Sequence, residues 1–146
     1  MTIYFDMDGT IADLYGIKDW LKMIQEENAY PYAAAAPLVD MKKLNSILEN
    51  LKSLGFKIGV ISWLSRNGSK EYNKTVRKTK REWLFQKIGI NFDEIHIVKY
   101  GTPKNKVCKD KNGILFDDEL RNRENWKGIA FDEKNIFEKL EELMVS

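Results

Sequence analysis

The residues of this chain best able to do chemistry are four carboxylates in two short pairs. Asp6 and Asp8 close the run Thr2-Ile3-Tyr4-Phe5-Asp6-Met7-Asp8-Gly9-Thr10, and Asp117-Asp118 close the run Gly113-Ile114-Leu115-Phe116. Each pair ends an apolar stretch that reads as a buried strand. Residues two apart at the end of a strand project to the same side, so Asp6 and Asp8 repel unless a cation, a shared proton or a substrate charge compensates them. An acidic turn accounts for one such pair; two, at strand ends of one sheet, point to a shared metal. A calcium loop starting at Asp6 would need a bidentate carboxylate near Ile17, where there is none. One histidine, His96, and one cysteine, Cys108, exclude an internal disulfide and argue against zinc, leaving a hard cation held by oxygen, such as magnesium.

Other polar groups fall at matching places. Ser62 ends the apolar run Phe56–Ile61, at the strand edge where open α/β sheets bind ligands, although a turn serine has the same signature. Tyr100-Gly101-Thr102-Pro103-Lys104-Asn105-Lys106 follows a third strand, Glu94–Val98, and brings Lys104 and Lys106 to that edge. Between Arg66 and Lys87 stand eight Lys or Arg against two Glu, in a chain whose net charge is only +2. Lys70, Lys74, Arg77 and Arg81 share one face of the expected helix, with Tyr72, Val76, Thr79 and Trp83 opposite. That face is either a landing surface for a nucleotide or nucleic-acid backbone or a solvated helix face. His96, between Ile95 and Ile97, reads as structural, and Cys108 as a packing residue.

Positioning these groups requires alternating strands and helices. Leu14, Ile17, Leu21 and Ile24 recur at helical spacing and predict one helix from Ile11 to about Asn28, ended by Tyr30–Pro37, where two prolines bracket a run of alanines. That segment reads as a surface connection rather than a lid bearing Tyr30 or Tyr32. Asp40 caps a second helix with a stripe of Leu44, Ile47, Leu48 and Leu51, stopped by Gly55. A helix around Glu119–Trp126, a strand Gly128–Phe131 and a helix from Asp132 or Glu133 to Met144 close the chain. The pattern implies one α/β domain, residues 1–146, with a three-layer Rossmann-like, mostly parallel sheet whose strand C-termini share one edge. Length and composition suit a single globular domain without a membrane span or signal peptide, expected in the cytoplasm.

In order and spacing, Asp6-Met7-Asp8-Gly9-Thr10, Ser62, Lys104 or Lys106, and Asp117-Asp118 resemble the haloacid dehalogenase superfamily of phosphohydrolases. Two small branches come closest, the 5′(3′)-deoxyribonucleotidase-like proteins and the phosphatase domain of phage polynucleotide kinases. The second likeness rests on Ser65–Trp83 and Phe116-Asp117-Asp118-Glu119-Leu120-Arg121. The resemblance implies a magnesium-dependent phosphatase acting on a nucleotide or similar small phosphate through an aspartyl-phosphate. Asp6 is then the nucleophile and Asp8 the general acid and base. Asp6, Asp117, Asp118 and the backbone carbonyl of Asp8 are expected around the metal, with Asp117 ligating it or orienting a bound water. Ser62, Thr10 and backbone N–H groups at Met7 and Asp8 are expected at the phosphate, with Lys104 preferred over Lys106. Any cap must lie within residues 13–37. Alternatives are a polynucleotide 3′-phosphatase gripping nucleic acid through the basic helix, and a phosphate-binding regulatory module without turnover. A fused kinase is excluded for this chain, which lacks a glycine-rich phosphate loop.

Overall fold

The computed structural model describes all residues, Met1–Ser146. Five strands, β1 (Thr2–Phe5), β4 (Lys57–Trp63), β5 (Glu94–Val98), β6 (Ile114–Phe116) and β7 (Ala130–Phe131), form one sheet in the order β5-β4-β1-β6-β7. Every pairing in it is parallel, with Phe5 opposite both Val60 and Phe116. All strand C-termini therefore open on one edge, and the strand carrying Asp6 is central. The expected three-layer α/β architecture is present.

Alternation along β1 divides the core. Ile3 and Phe5 point to one face, where they meet α3 (Met41–Ser53), α4 (Lys70–Lys87) and α6 (Ile136–Met144) through Leu48, Leu51, Leu84 and Leu140. Each fully buried aliphatic side chain there contributes roughly 1.5–3 kcal/mol. Tyr4 points to the other face and packs with Ile61, Leu115, Cys108 and Trp126, the last at the end of α5 (Leu120–Asn125). Gly59 is required beside it, because a Cβ there would stand 2.7 Å from the Tyr4 ring. The Tyr4 hydroxyl donates to Glu94 (2.8 Å) and accepts from the Asp110 N–H (3.0 Å), and Glu94 also pairs with His96 (2.8 Å). His96 is thus a satisfied structural residue, and the network ties the segment after β5 to the sheet.

The stretch between β1 and α3 departs from expectation. Instead of one helix over 11–28, the chain forms β2 (Ala12–Asp13), a 3-10 turn at Leu14–Gly16 capped by the Asp13 carboxylate (3.0 Å to the Gly16 N–H), and only then α1 (Trp20–Gln25). Asp19, with φ 60°, separates turn and helix, and α1 buries no residue completely. The helical periodicity was misleading because its first member, Leu14, packs under Tyr32 and Tyr72 while Leu21 stays half exposed. Tyr30–Ala34, predicted as a break, is a short helix, α2, with Pro31 in its first turn, where a missing N–H costs nothing. It packs on α4 and buries Tyr32. The excursion leaves and returns through an antiparallel ladder of β2 with β3 (Ala36–Pro37), which closes residues 13–37 into a small cap. At its tip, Glu27 accepts from both the Ser69 N–H (2.8 Å) and the Ser69 hydroxyl (2.6 Å), clasping the cap to the start of α4.

On α4 the basic face is partly committed. The Arg77 Nε and an Arg81 guanidinium nitrogen donate to the carbonyls of Ile97 (3.1 Å) and Ile95 (3.4 Å) on the edge strand β5, leaving Lys70, Lys74 and Lys78 to solvent. Covering an edge strand this way protects it from unwanted pairing. No helix is long and apolar enough to cross a membrane.

Candidate active site and cation site

Asp6 lies one residue beyond β1, its N–H still bonded to the Phe116 carbonyl at 2.9 Å, so the sheet fixes its backbone. Its Oδ1 accepts from the Lys104 ammonium at 2.8 Å and its Oδ2 from the Thr10 hydroxyl at 3.1 Å. Beyond it the backbone folds sharply. The Met7 carbonyl accepts from the N–H groups of Thr10, Ile11 and Ala12 (3.1, 3.0 and 3.0 Å), while Gly9 takes φ 83°. A side chain at Gly9 would be strained and would overlap Asp118. The Met7 side chain is buried in the core, so only its backbone faces the site, and neither the Met7 nor the Asp8 N–H has a partner within the protein.

Asp6 and Asp8 do not share one compensating charge. Asp8 Oδ2 pairs with Lys80 at 2.8 Å, and the same ammonium donates to Ser62 Oγ and the Trp63 carbonyl, each at 2.8 Å. Lys80 is 1% exposed and all three of its donors are used, an arrangement that makes a buried ammonium tolerable. Burial pushes the Asp8 carboxyl up from its ordinary value, with Lys80 pulling against that rise. Lys80 is the residue sequence reasoning missed, counted only within the positive charge of the helix. Tyr72, Val76, Lys80 and Trp83 are spaced by four, four and three, so the buried face of α4 runs through Lys80 rather than Thr79, which is only half-buried. A lysine at an apolar-stripe position was the available signal.

The second acidic pair extends from β6. Asp117 is fully buried; its Oδ2 accepts from Lys104 (2.7 Å) and Asn122 (3.0 Å), and its Oδ1 from the Glu119 N–H (2.9 Å). Asn122, from α5, had no distinguishing sequence signal. Lys104 therefore bridges Asp6 and Asp117. Burial lowers its proton affinity, but the two carboxylates outweigh that and hold it above its ordinary value. Lys106, two residues on, is exposed, so of the two candidate lysines Lys104 alone enters the cluster.

Two expected phosphate ligands are placed differently. Thr10 is fully buried; its hydroxyl lies 3.1 Å from both Asp6 Oδ2 and Asp118 Oδ1, with one proton to give to either, and accepts from the Asp118 N–H (3.1 Å), so it joins the two acidic pairs rather than facing a ligand. Ser62 is also fully buried, its oxygen occupied by Lys80. Each is taken up by the charged groups beside it, Thr10 by the two acidic pairs and Ser62 by the Lys80 ammonium from α4. Thr10→Val is expected to cost about 2 kcal/mol in urea unfolding, the scale of a buried hydrogen bond to a charged group, and to weaken divalent-cation binding in the same protein.

One carboxylate oxygen each from Asp6, Asp117 and Asp118 lie within 4.8 Å of one another, a set that could hold a metal ion. The Asp8 carboxylate is outside this set of side-chain oxygens and is held by Lys80; the donor expected of Asp8 is its backbone carbonyl, which the set does not include. All three donors are hard oxygens, suited to magnesium or calcium rather than softer metals. Burial and the adjacent Asp6 and Asp117 carboxylates push Asp118 up to about 8, so in the cation-free protein it holds a proton at neutral pH. The folded state then binds more protons than the unfolded chain between the ordinary carboxylate range and about pH 8, so stability falls as pH rises across that window. A divalent cation is expected to reverse this trend, displacing a proton as it binds and binding more tightly as pH approaches 8. Calorimetry in buffers of different ionisation enthalpy counts the proton, and melting at pH 6 and 8 with and without cation checks the sign.

A cleft of about 500 Å³ opens over Asp6, Asp8 and Lys104, between the cap (Tyr15, Trp20) and the loops after β4 and β5. No protein family and no curated protein matches this chain.

Proposed function

We propose that this chain is a magnesium-dependent phosphomonoesterase of the haloacid dehalogenase type, working through a phosphorylated Asp6. The observation that carries this reading is the division of labour between two carboxylates two residues apart. Asp6 sits with Lys104 in the candidate cation site, while Asp8 stands outside it on Lys80. Asp6 and Asp8 both line the cleft.

In the first step an Asp6 carboxylate oxygen forms a bond to phosphorus as the ester P–O bond breaks, and the leaving oxygen takes the Asp8 proton. Burial favours that protonated form of Asp8. In the second step Asp8 accepts a proton from water, whose oxygen bonds to phosphorus, releasing inorganic phosphate and restoring Asp6. Lys104 offsets charge on the nucleophile and on the transferring group, and the uncommitted N–H groups of Met7 and Asp8 are available to phosphate oxygens. Magnesium held by Asp6, Asp117 and Asp118 would neutralise phosphate charge and orient the ester. Thr10 and Asn122 keep those carboxylates in place.

Hydrolysis of a generic aryl phosphate with and without magnesium tests the reading. Turnover that requires the cation is expected; no turnover with either magnesium or manganese removes the proposal.

A further inference from the structure

Resting on that reading, the geometry points to Tyr15 as a catalytic residue of the cap, its phenol hydroxyl donating to a non-bridging oxygen of the transferring phosphoryl group. Such a group gathers charge on its outer oxygens and is held by whatever donors face it. The two hydroxyls that the order of residues offered for this task are spent. Ser62 is buried on Lys80, and Thr10 is buried between the acidic pairs. Among the other hydroxyls that line the cleft, Tyr32 is 5% exposed with its ring against the Lys80 ammonium at 4.9 Å, and Ser65 Oγ is buried beside Gly68. Tyr15 is 48% exposed, and its hydroxyl has no hydrogen-bond partner in the protein.

The ring is held in place from three sides. Its 3-10 turn is pinned below by the buried Leu14 and closed by the Asp13 carboxylate on the Gly16 N–H. Trp20 packs edge-on against it, with centroids 4.9 Å apart and planes at 73°. Across from Trp20 the ring rests on the bare backbone of Gly9, where a Cβ would stand 3.0 Å from Tyr15 Cε2 and would overlap the Asp118 carboxylate. The phenol therefore lies beside Asp118 and next to the loop whose free Met7 and Asp8 N–H groups face the site. Burial, with Asp8, Asp118, Asp6 and Glu119 around it, holds the phenol well above its ordinary value, so it keeps its proton and acts as a donor. Asp8, Asp6 and Asp118 already take donors from Lys80, Lys104 and Thr10. The Tyr15 proton is thus left for a ligand, and a ring fixed in advance loses little freedom when one binds.

Tyr15→Phe removes the hydroxyl and keeps the ring. Calorimetric titration of inorganic phosphate into magnesium-loaded protein reads the contact without turnover. Phosphate is expected to bind Tyr15→Phe about tenfold more weakly than wild type, the scale of one hydrogen bond to a charged group, and kcat/KM for an aryl phosphate to fall by at least as much. Magnesium affinity and melting temperature are expected to stay at the wild-type values. Tyr30→Phe, in the cap but away from the cleft, is expected to match wild type in every assay. Unchanged phosphate affinity and turnover in Tyr15→Phe overturns the inference and leaves the phosphatase reading standing. A parallel loss of magnesium affinity also overturns it, because the hydroxyl would then be serving the Asp118 carboxylate. So does a wild type that binds no phosphate. Weaker phosphate binding by Tyr15→Phe, in a protein that hydrolyses no ester, keeps the phosphate contact while the phosphatase reading falls.

Discussion

Asp6→Asn protein is expected to fold, to bind phosphate compounds, and to hydrolyse none of them above the blank rate. Asparagine matches aspartate in size; its single amide oxygen can still accept from Lys104, its NH2 group then faces the Thr10 hydroxyl, whose proton can turn to Asp118, and Lys104 keeps its bond to Asp117 at 2.7 Å. The nucleophilic carboxylate oxygen is what disappears, along with one negative charge beside Asp118. Removing a group that acts at the reacting atom costs on the order of 10³-fold in rate or more. The fold is expected to melt no lower than wild type, because a carboxylate that crowds Asp118 has gone. Turnover of Asp6→Asn at even a tenth of the wild-type rate would rule out a phosphorylated Asp6.

Lys80→Met is expected to be the most destabilising single change in the site, lowering stability by about 3 kcal/mol. At this chain length that is a fall in melting temperature of roughly 10 °C. Methionine fills the volume but leaves Asp8, Ser62 and the Trp63 carbonyl without their shared donor. The loss should shrink as pH falls and Asp8 takes up a proton, because an unpaired neutral carboxyl is less costly to bury than a carboxylate. Lys80 also opposes the upward push of burial on Asp8, so its removal lets Asp8 keep its proton to higher pH. The pH range over which Asp8 serves as an acid then extends in the alkaline direction. Asp8→Asn in the Lys80→Met background is expected to recover part of the stability, and urea titration of the four-member cycle reads the coupling. A cycle with no coupling would show that Lys80 and Asp8 are neighbours without being partners.

The ends of the buried strands were legible because a strand's signal is local. Apolar runs at Ile3–Phe5, Ile58–Ile61 and Ile114–Phe116 announce themselves, and a carboxylate or hydroxyl immediately after each is read from the same few residues. The place of the excursion, residues 13–37, was legible, but its internal structure was not. Its apolar residues carry a helical period, yet Leu14 and Tyr32 find their partners, Tyr72 and Val76, on α4, far along the chain. Tertiary contact of that kind overrides local propensity. Lys80 was hidden for the opposite reason: its charge placed it with the basic residues around it, and only the packing of α4 shows that its ammonium is turned inwards.

The sequence by itself determined the α/β alternation, the parallel sheet and the arrival of Asp6, Asp8, Asp117, Asp118 and Ser62 at one edge, since strand polarity and residue order leave little choice. Only the tertiary structure decided which charge compensates which. Lys104 joins Asp6 to Asp117, Lys80 holds Asp8, Thr10 links Asp6 to Asp118, and Lys106 and two arginines of the basic helix turn elsewhere. Pairing of buried charges depends on distances of about 3 Å between groups far apart in the chain, and spacing along a sequence carries no information at that scale.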